Sequence, residues 1–334
     1  MMHIVQIKPS GYLLFVVDGE TVLQAAIRQG YEFPYSCSSG TCGTCIGKVL
    51  SGNYHYGDVK PYALDDIPYR ENSALFCSVR PSSDMIIEVE EVYGPEFLAA
   101  RKTEYTVHQY QILNNHIYQV ILTPKSKPIT YHAGQYLKIT CNDGVKLPFS
   151  ITNAPSNHRH LELQIKAMPD NPHTSEIIAK IKAKEVLQLQ GPYGKVIYRN
   201  EPKLPIIFVA GGTGIAPLKA IIEQALTQND PRSLHLFWGG QHPDALYLSE
   251  HIQAYAKNHD NFSFTPVVDK KGSYWHGATG LVHEAVIKEY DDLSGYQVYA
   301  SGPTPMVYAA LDAFTNKGLK PQLLFSDTFE HAPR

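Results

Sequence analysis

The densest chemistry in this 334-residue chain is the stretch Cys37-Ser38-Ser39-Gly40-Thr41-Cys42-Gly43-Thr44-Cys45, followed at a distance by Cys77. C-x4-C-x2-C with a remote fourth cysteine is the spacing of four thiolates around a 2Fe-2S cluster. A short loop supplies three ligands only if its backbone curls, and Gly40 and Gly43 permit that while letting amide N–H groups approach the sulfides. Clustered cysteines have two other readings, a zinc site and a disulfide framework. Zinc sites usually offer two separated C-x2-4-C pairs, whereas this chain has one such pair beside an extra cysteine. Cys37, Cys42, Cys45 and Cys77 are the candidate metal ligands. The fifth cysteine, Cys141, follows the strand-like Leu137–Thr140 and precedes an Asn142-Asp143-Gly144 turn, and reads as a packed thiol.

A second chemical stretch lies far downstream. Leu204–Ala210 is a buried-strand run, Gly211-Gly212-Thr213-Gly214 follows directly, and Leu218–Leu226 has helical periodicity. Strand, glycine turn, helix is the context in which a backbone approaches a dinucleotide pyrophosphate. Further strands at His235–Trp238, Phe262–Val268 and Gln297–Ala300, with helical segments between them, predict a doubly wound α/β domain. No catalytic triad or paired carboxylates stand out, so acid–base chemistry is not the expected business of this chain.

Several elements must position these residues. Two strands (His3–Lys8, Tyr12–Val17), a helix over Val22–Gln29 capped by Thr21 and stopped by Gly30, the cysteine loop, and a strand at Met85–Val89 open the chain. Phe76-Cys77-Ser78-Val79 sets the fourth cysteine in a short apolar segment. Val92–Lys102 lacks periodicity and contains Gly94-Pro95, which suits a linker. Then Tyr105–Ile112, Ile117–Leu122, Gln135–Thr140, Phe149–Thr152 and Leu161–Ile165 read as strands separated by Pro, Gly and Asn, predicting a small antiparallel barrel. The expected division is 1–95, linker 96–103, barrel 104–202, and α/β domain 203–334.

Composition bounds the rest. Hydrophobic residues make up 43% and charged residues 18%, ordinary for a globular protein, and the net charge of -3 gives no basic field for nucleic acid. Residues 1–95 carry six Lys/Arg against eleven Asp/Glu, whereas the remainder carries 23 against 21. An acidic first domain would steer towards a basic partner surface; a solvated acidic face is the other reading. No basic segment followed by an apolar run opens the sequence, and no run approaches membrane-spanning length. A cytoplasmic protein, in a compartment that keeps thiols reduced, is expected.

Residues 1–95 resemble the plant-type 2Fe-2S ferredoxins, with their β-grasp fold, from end to end. Gly134-Gln135-Tyr136, Leu147-Pro148-Phe149-Ser150-Ile151-Thr152-Asn153 and Gly191-Pro192-Tyr193-Gly194 resemble the flavin domain of the ferredoxin–NAD(P) reductase superfamily. The last stretch, through Gly302-Pro303-x-Pro305-Met306, resembles that superfamily's nicotinamide domain. The resemblance implies a multidomain α+β and α/β protein carrying a 2Fe-2S cluster, FAD and NADH. It implies that Phe149 packs on the isoalloxazine, that Ser150 sits near the reactive nitrogen, and that Thr152 belongs to the same motif. The family's R-x-[YF]-S has Leu147 in place of arginine here. Lys146 points to the other face of a strand, so Lys166 is the candidate cation. Thr174 and Ser175, with His173 beside them, open the helix at which the family places the pyrophosphate. Weaker flavin binding, without its loss, is expected.

The family often reads C-G-P where this chain has Ser301-Gly302-Pro303. A serine facing the nicotinamide is expected to change rate or affinity rather than abolish function. Gln241, neutral at the end of the second strand, favours NADH, and His242 leaves NADPH open. Phe329 falls where relatives place an aromatic beside the flavin; ordinary packing is the alternative. The order ferredoxin, flavin, nicotinamide is that of reductase components of aromatic and alkane oxygenases and of the CDP-6-deoxy-3,4-glucoseen reductases of dideoxysugar biosynthesis. It implies electron transfer from NADH through FAD to the cluster and on to a protein acceptor. The competing readings are a flavin or ferric reductase discharging to small molecules, a non-enzymatic redox sensor, and a ferredoxin domain used chiefly for docking.

Overall fold

The computed structural model describes residues 2–35, 37–40, 43–56, 72–90, 92–95, 98–114, 116–155, 160–270 and 275–329. The chain forms two compact units, Met1–Phe97 and Leu98–Arg334.

In the first unit, β1 (Met2–Lys8), β2 (Leu13–Val17), α1 (Val22–Arg28), β3 (Ile46–Ser51), β4 (Tyr54–His55), β5 (Ser73–Leu75), β6 (Arg80–Pro81) and β7 (Met85–Glu88) follow in order. Five strands form one mixed sheet in the order β2-β1-β7-β3-β5. Its only parallel pair among the described residues is β1–β7. Thr21 caps α1 as its sequence predicts. Its hydroxyl accepts from Gln24 N at 3.2 Å while the Gln24 side chain accepts from Thr21 N at 2.9 Å. Val22, Leu23, Ala25 and Ala26 bury one face of the helix in a core shared with Val5, Ile7, Leu14 and Phe76.

The second unit begins with β8 (Arg101–Asn114), β9 (Ile117–Pro124), β10 (Tyr136–Thr140), β11 (Lys146–Ser150), β12 (Leu161–Lys166), α2 (Pro172–Lys182) and β13 (Val186–Tyr193). These strands pair antiparallel in the order β11-β10-β13-β8-β9-β12. A bridge between Ile151 and Leu163 joins the two outer strands, so the sheet closes on itself. Three details differ from expectation. β8 starts at Arg101, inside the expected linker, because its first residues pair with Gln190 and Gly191 of β13. β11 lies earlier than Phe149–Thr152, because Lys146–Ser150 pairs along its whole length with β10. β13 is a strand that the sequence reading did not identify.

The remainder alternates strand and helix: β14 (Ile206–Gly211), α3 (Ile215–Thr227), β15 (Leu234–Gly240), α4 (Ser249–Asn258), β16 (Phe262–Val268), β17 (Ala278–Thr279), α5 (Val282–Glu289), β18 (Gln297–Pro303), α6 (Thr304–Thr315) and β19 (Leu324–Phe329). All six strands run parallel in the order β17-β16-β15-β14-β18-β19. β14 is central, and Ile206–Ala210 are buried, as a strand covered on both faces requires. The architecture is a mixed α+β multidomain one. Among the described residues no helix is long and apolar enough to cross a membrane.

Candidate functional site

The glycine turn and the Ser301 motif meet at the carboxyl ends of two neighbouring parallel strands. β14 pairs with β18 so that Ala210 lies opposite Ser301. Gly214 packs so tightly there that a Cβ on it would stand 2.0 Å from the Ser301 carbonyl oxygen, and one on Gly211 would stand 2.5 Å from Met306 Sδ. At Gly214, where the neighbour is backbone, only glycine permits the approach. A Cβ on Gly212, by contrast, would meet nothing within 4 Å, so its backbone, with φ +53°, faces open space. Ser301 Oγ and Thr304 Oγ1 are buried and find no hydrogen-bond partner among the described residues. Open space over the glycine turn, together with buried hydroxyls on the adjoining Ser301 motif that have no partner among the described residues, fits a dinucleotide's phosphates and amide. Gly302 is buried and Pro303 exposed, with Met306 and Thr213 half-buried. The sequence reading passed over Trp238, which is fully buried and whose Nε1 donates to Gly212 O at 2.9 Å. Its signal was a lone tryptophan near the end of a buried strand beside a glycine pair. Gln241 is exposed, and Lys270 N donates to its carbonyl at 2.9 Å.

In the closed antiparallel sheet, β11 alternates as a strand must. Lys146 and Pro148 are exposed, and Leu147 is buried in the core. Lys146 Nζ turns away to Gln190 Oε1 at 2.9 Å, so it does not substitute for the arginine that Leu147 replaces. Phe149 is half-buried against the core. Ser150 is 6% exposed, and its Oγ has no partner among the described residues, which fits a flavin that supplies one. Thr152 is fully buried and fully engaged, its hydroxyl donating to Glu162 Oε1 at 2.9 Å. Lys166 ends β12 exposed.

The start of α2 is more self-contained than expected. Asn171 Oδ1 accepts from His173 N at 3.0 Å and Thr174 N at 3.1 Å, and the buried Thr174 hydroxyl donates to the Met168 and Asn171 carbonyls. Thr174 thus shapes the turn instead of offering a free donor, while Ser175 is exposed. His173 Nε2 lies 2.8 Å from Asp143 Oδ2, a bond that holds the Asp143 carboxyl below its ordinary range. Phe329 pairs with Pro303 through the β18–β19 register, but its side chain lies outside the described residues.

In the first unit, Cys45 and Cys77 are both buried and come together as their sequence predicts. Burial, with a bond to Cys77 adding to it, pushes the Cys45 thiol up to about 12, so taking a metal there means displacing a proton. Cys37 is exposed on the loop, and Gly40 and Gly43 adopt φ +77° and +74°. Cys42 lies outside the described residues. Among the described residues no three metal-ligating side chains converge. Two buried thiols facing each other beside a curled glycine loop fit a thiolate-held iron–sulfur cluster. Cys141 is buried in the second unit, the packed thiol expected.

A further group unites the two halves of the second unit. Lys219 of α3, 3% exposed, donates to Thr152 O at 3.2 Å and pairs with Glu223 at 2.6 Å and Glu162 at 3.4 Å. Sequence reasoning missed it, although a lysine inside the apolar Ile215–Ile222 run had to be buried.

Comparison with known proteins accounts for all three segments. Residues 5–82 match a 2Fe-2S iron-sulfur cluster binding domain. Residues 106–198 match an oxidoreductase FAD-binding domain and 208–312 an oxidoreductase NAD-binding domain. The chain is 35% identical over 329 residues to the CDP-6-deoxy-L-threo-D-glycero-4-hexulose-3-dehydrase reductase of Yersinia pestis, covering 97% of this chain and 98% of that one. It is 32% identical over 340 residues to the phenol 2-monooxygenase reductase component DmpP of Pseudomonas sp. strain CF600, covering 98% and 95%. Among solved structures, the Amycolatopsis cytochrome P450 reductase GcoB superposes with a TM-score of 0.67 at 25% identity, over 98% of each chain. With Cys45 and Cys77 converging in one unit, and Ser150 and Ser301 in the other holding buried hydroxyls without a partner among the described residues, the chain belongs to the iron–sulfur flavoprotein reductases, oxidoreductases that combine 2Fe-2S, FAD and NAD-binding domains.

Proposed function

We propose that this chain carries electrons from NADH to a protein acceptor of the kind its relatives' names describe, a dehydrase or an oxygenase component. The observation that carries this reading is the pair of buried serine hydroxyls, Ser150 Oγ and Ser301 Oγ, one in each motif and each without a partner among the described residues. A buried hydroxyl wants a partner, and a flavin at Ser150 with a nicotinamide at Ser301 supplies both. A bound flavin accepts a hydride and releases electrons singly, which is what couples a nicotinamide to a 2Fe-2S cluster.

The chain's own residues then bind and orient. Gly211–Gly214, held by Trp238, let the backbone approach the nicotinamide dinucleotide, with Gly302, Pro303 and Met306 packed beneath. Phe149 packs beside the flavin and Ser150 donates to it. Lys166 and Ser175 serve its phosphates in place of the arginine that Leu147 replaces, and Phe329 is its aromatic neighbour. Gln241 selects NADH over NADPH. Cys37, Cys42, Cys45 and Cys77 ligate the cluster.

The fold reading that accompanies this is a β-grasp domain over 1–95, an antiparallel barrel over 104–202 and a doubly wound domain over 203–334. The closed six-stranded sheet and the all-parallel sheet support the last two. The acidic balance of residues 1–95 suits an acceptor with a basic docking surface, and the reduced thiolates suit the cytoplasm. The test is anaerobic titration of the purified protein with NADH, followed by absorbance and electron paramagnetic resonance. Bleaching of a flavin band with a rhombic reduced-cluster signal is expected. A protein without flavin, or with flavin that NADH does not bleach, overturns the reading.

A further inference from the structure

Lys219 stands five residues beyond Gly214 on α3, in a helix whose neighbouring side chains are apolar. Its ammonium donates to the backbone oxygen of Thr152 at 3.2 Å. Glu223, one turn further along the same face, binds Lys219 through Oε1 at 2.6 Å and accepts from Ala154 N through Oε2 at 3.0 Å. A Lys and a Glu at i and i+4 therefore hold a C=O and an N–H of one short stretch of backbone, residues 152–154. That stretch begins two residues after Ser150. Other groups fix the holders in turn. Glu162 lies 3.4 Å from Lys219 and accepts from the Thr152 hydroxyl. Tyr255 of α4 donates to Glu223 Oε1 at 2.6 Å, and Tyr131 donates to the Asn153 and Ala154 carbonyls at 3.2 Å.

Stability alone is a poor reason for such a group. The desolvation of a buried ion pair largely offsets its attraction, and well-packed apolar side chains serve stability as well or better. What the charged pair supplies is direction: two contacts of fixed polarity at fixed spacing, which a sliding apolar contact lacks.

We propose that Lys219 and Glu223 are positioning residues for hydride transfer, setting the register between the helix that begins at the glycine turn and the strand end that carries Ser150. This rests on the assignment of those two motifs to nicotinamide and flavin. Hydride transfer needs the reacting atoms about 3–3.5 Å apart, and an error of about 1 Å can lower a rate by about a hundredfold. A cavity of about 730 Å³, lined among others by Glu162, Lys219, Glu223, Tyr247 and Trp275, adjoins the clamp. Releasing the clamp thus leaves the interface room to shift.

The experiment compares wild type, Lys219→Met and Glu223→Gln holoproteins in anaerobic stopped-flow reduction by NADH, with hydrogen exchange of a peptide spanning residues 150–155. In Lys219→Met the limiting rate of flavin reduction is expected to fall about ten- to a hundredfold, with half-saturating NADH changed by less than about twofold. Exchange across residues 152–154 rises in both variants. Glu223→Gln keeps the side-chain volume and an acceptor oxygen, is expected to show a smaller loss of rate, and carries the test alone if Lys219→Met does not accumulate. A limiting rate equal to wild type in a variant that merely melts earlier overturns the proposal, as does a rise in half-saturating NADH at unchanged rate. A wild-type flavin that NADH does not reduce overturns the functional reading itself, whereas normal wild-type reduction with unaltered variants overturns the clamp alone.

Discussion

A folded protein rarely keeps a buried hydroxyl without a partner, and among the described residues Ser150 and Ser301 are two such cases. If Ser150 Oγ donates to the flavin, Ser150→Ala removes about 1 kcal/mol of that interaction, so NADH-driven flavin bleaching should slow roughly fivefold. Rapid-mixing absorbance reads this directly, and an unchanged rate would return Ser150 to a packing role. Cys45 makes a sharper case. It is buried beside Cys77, so Cys45→Ser should abolish the reduced-cluster resonance signal while NADH still bleaches the flavin. Loss of both signals would show that the cluster cysteine also holds the second unit's site together. These side chains were legible because their motifs fix residue type at fixed spacing. Thr174 was less so. Its type suits a phosphate donor, but its hydroxyl donates to Met168 and Asn171 carbonyls, and that choice depends on how the turn before α2 folds. At Leu147 the strand alternates as its sequence suggests, with Leu147 buried and Lys146 on the opposite face.

Elements position the motifs, and here the sequence was read less evenly. The run into β14 and the capping box of α1 announce themselves through apolar continuity and the Thr21/Gln24 pairing. β13 stayed hidden because Gly191 and Pro192 look like turn residues, yet it runs through both to Tyr193 and pairs with β8 and β10. The start of β8 stayed hidden for the matching reason, since Arg101 and Lys102 acquire strand character only from β13 opposite. Pairing between distant segments is not written locally. The hold of β15 on the glycine turn is of the same kind. Trp238 lies near the end of that strand, two residues before Gly240, and donates to Gly212 O, tying the turn to the sheet. Trp238→Phe keeps an aromatic ring and deletes this one bond, about 1 kcal/mol of order in the turn, so half-saturating NADH should rise about fivefold. Flavin content should stay at the wild-type level. Flavin loss in parallel would mean that the substitution disturbs the whole second unit, and the turn-specific role would fall.

At the scale of the molecule, the order of motifs led to an expected division into 1–95, a linker at 96–103, 104–202 and 203–334, whereas the structure gathers the chain into two compact units, Met1–Phe97 and Leu98–Arg334. The buried polar groups that join layers inside the second unit were not legible in the sequence. Lys219 and Glu223 are one such group; Arg232 is another. Arg232 pairs with Asp230 and donates to the Pro202 and Arg199 carbonyls, fastening the connection into β14. Such groups also set how the unit responds to acid. Burial alone would raise the Asp230 carboxyl, but hydrogen bonds from Arg232 and Tyr198 hold it below its ordinary 3.8. Its stabilisation is present above 3.8 and is lost only as pH falls through the lower folded value. His235 acts earlier. It lies on β15 between Tyr290 OH at 2.8 Å and Thr265 Oγ1 at 2.9 Å, and burial lowers it from 6.5 to about 4. Between those two values the unfolded chain binds a proton that the folded unit refuses, so stability must fall as pH drops from 6.5 towards about 4. Scanning calorimetry between pH 7 and about 4.5 should show the transition of the Leu98–Arg334 unit moving down with acid. In His235→Gln, which has nothing to protonate there, that shift should be smaller. Parallel pH profiles for the two proteins would mean that His235 accepts its proton inside the fold, and that the acid sensitivity of this unit arises from other groups.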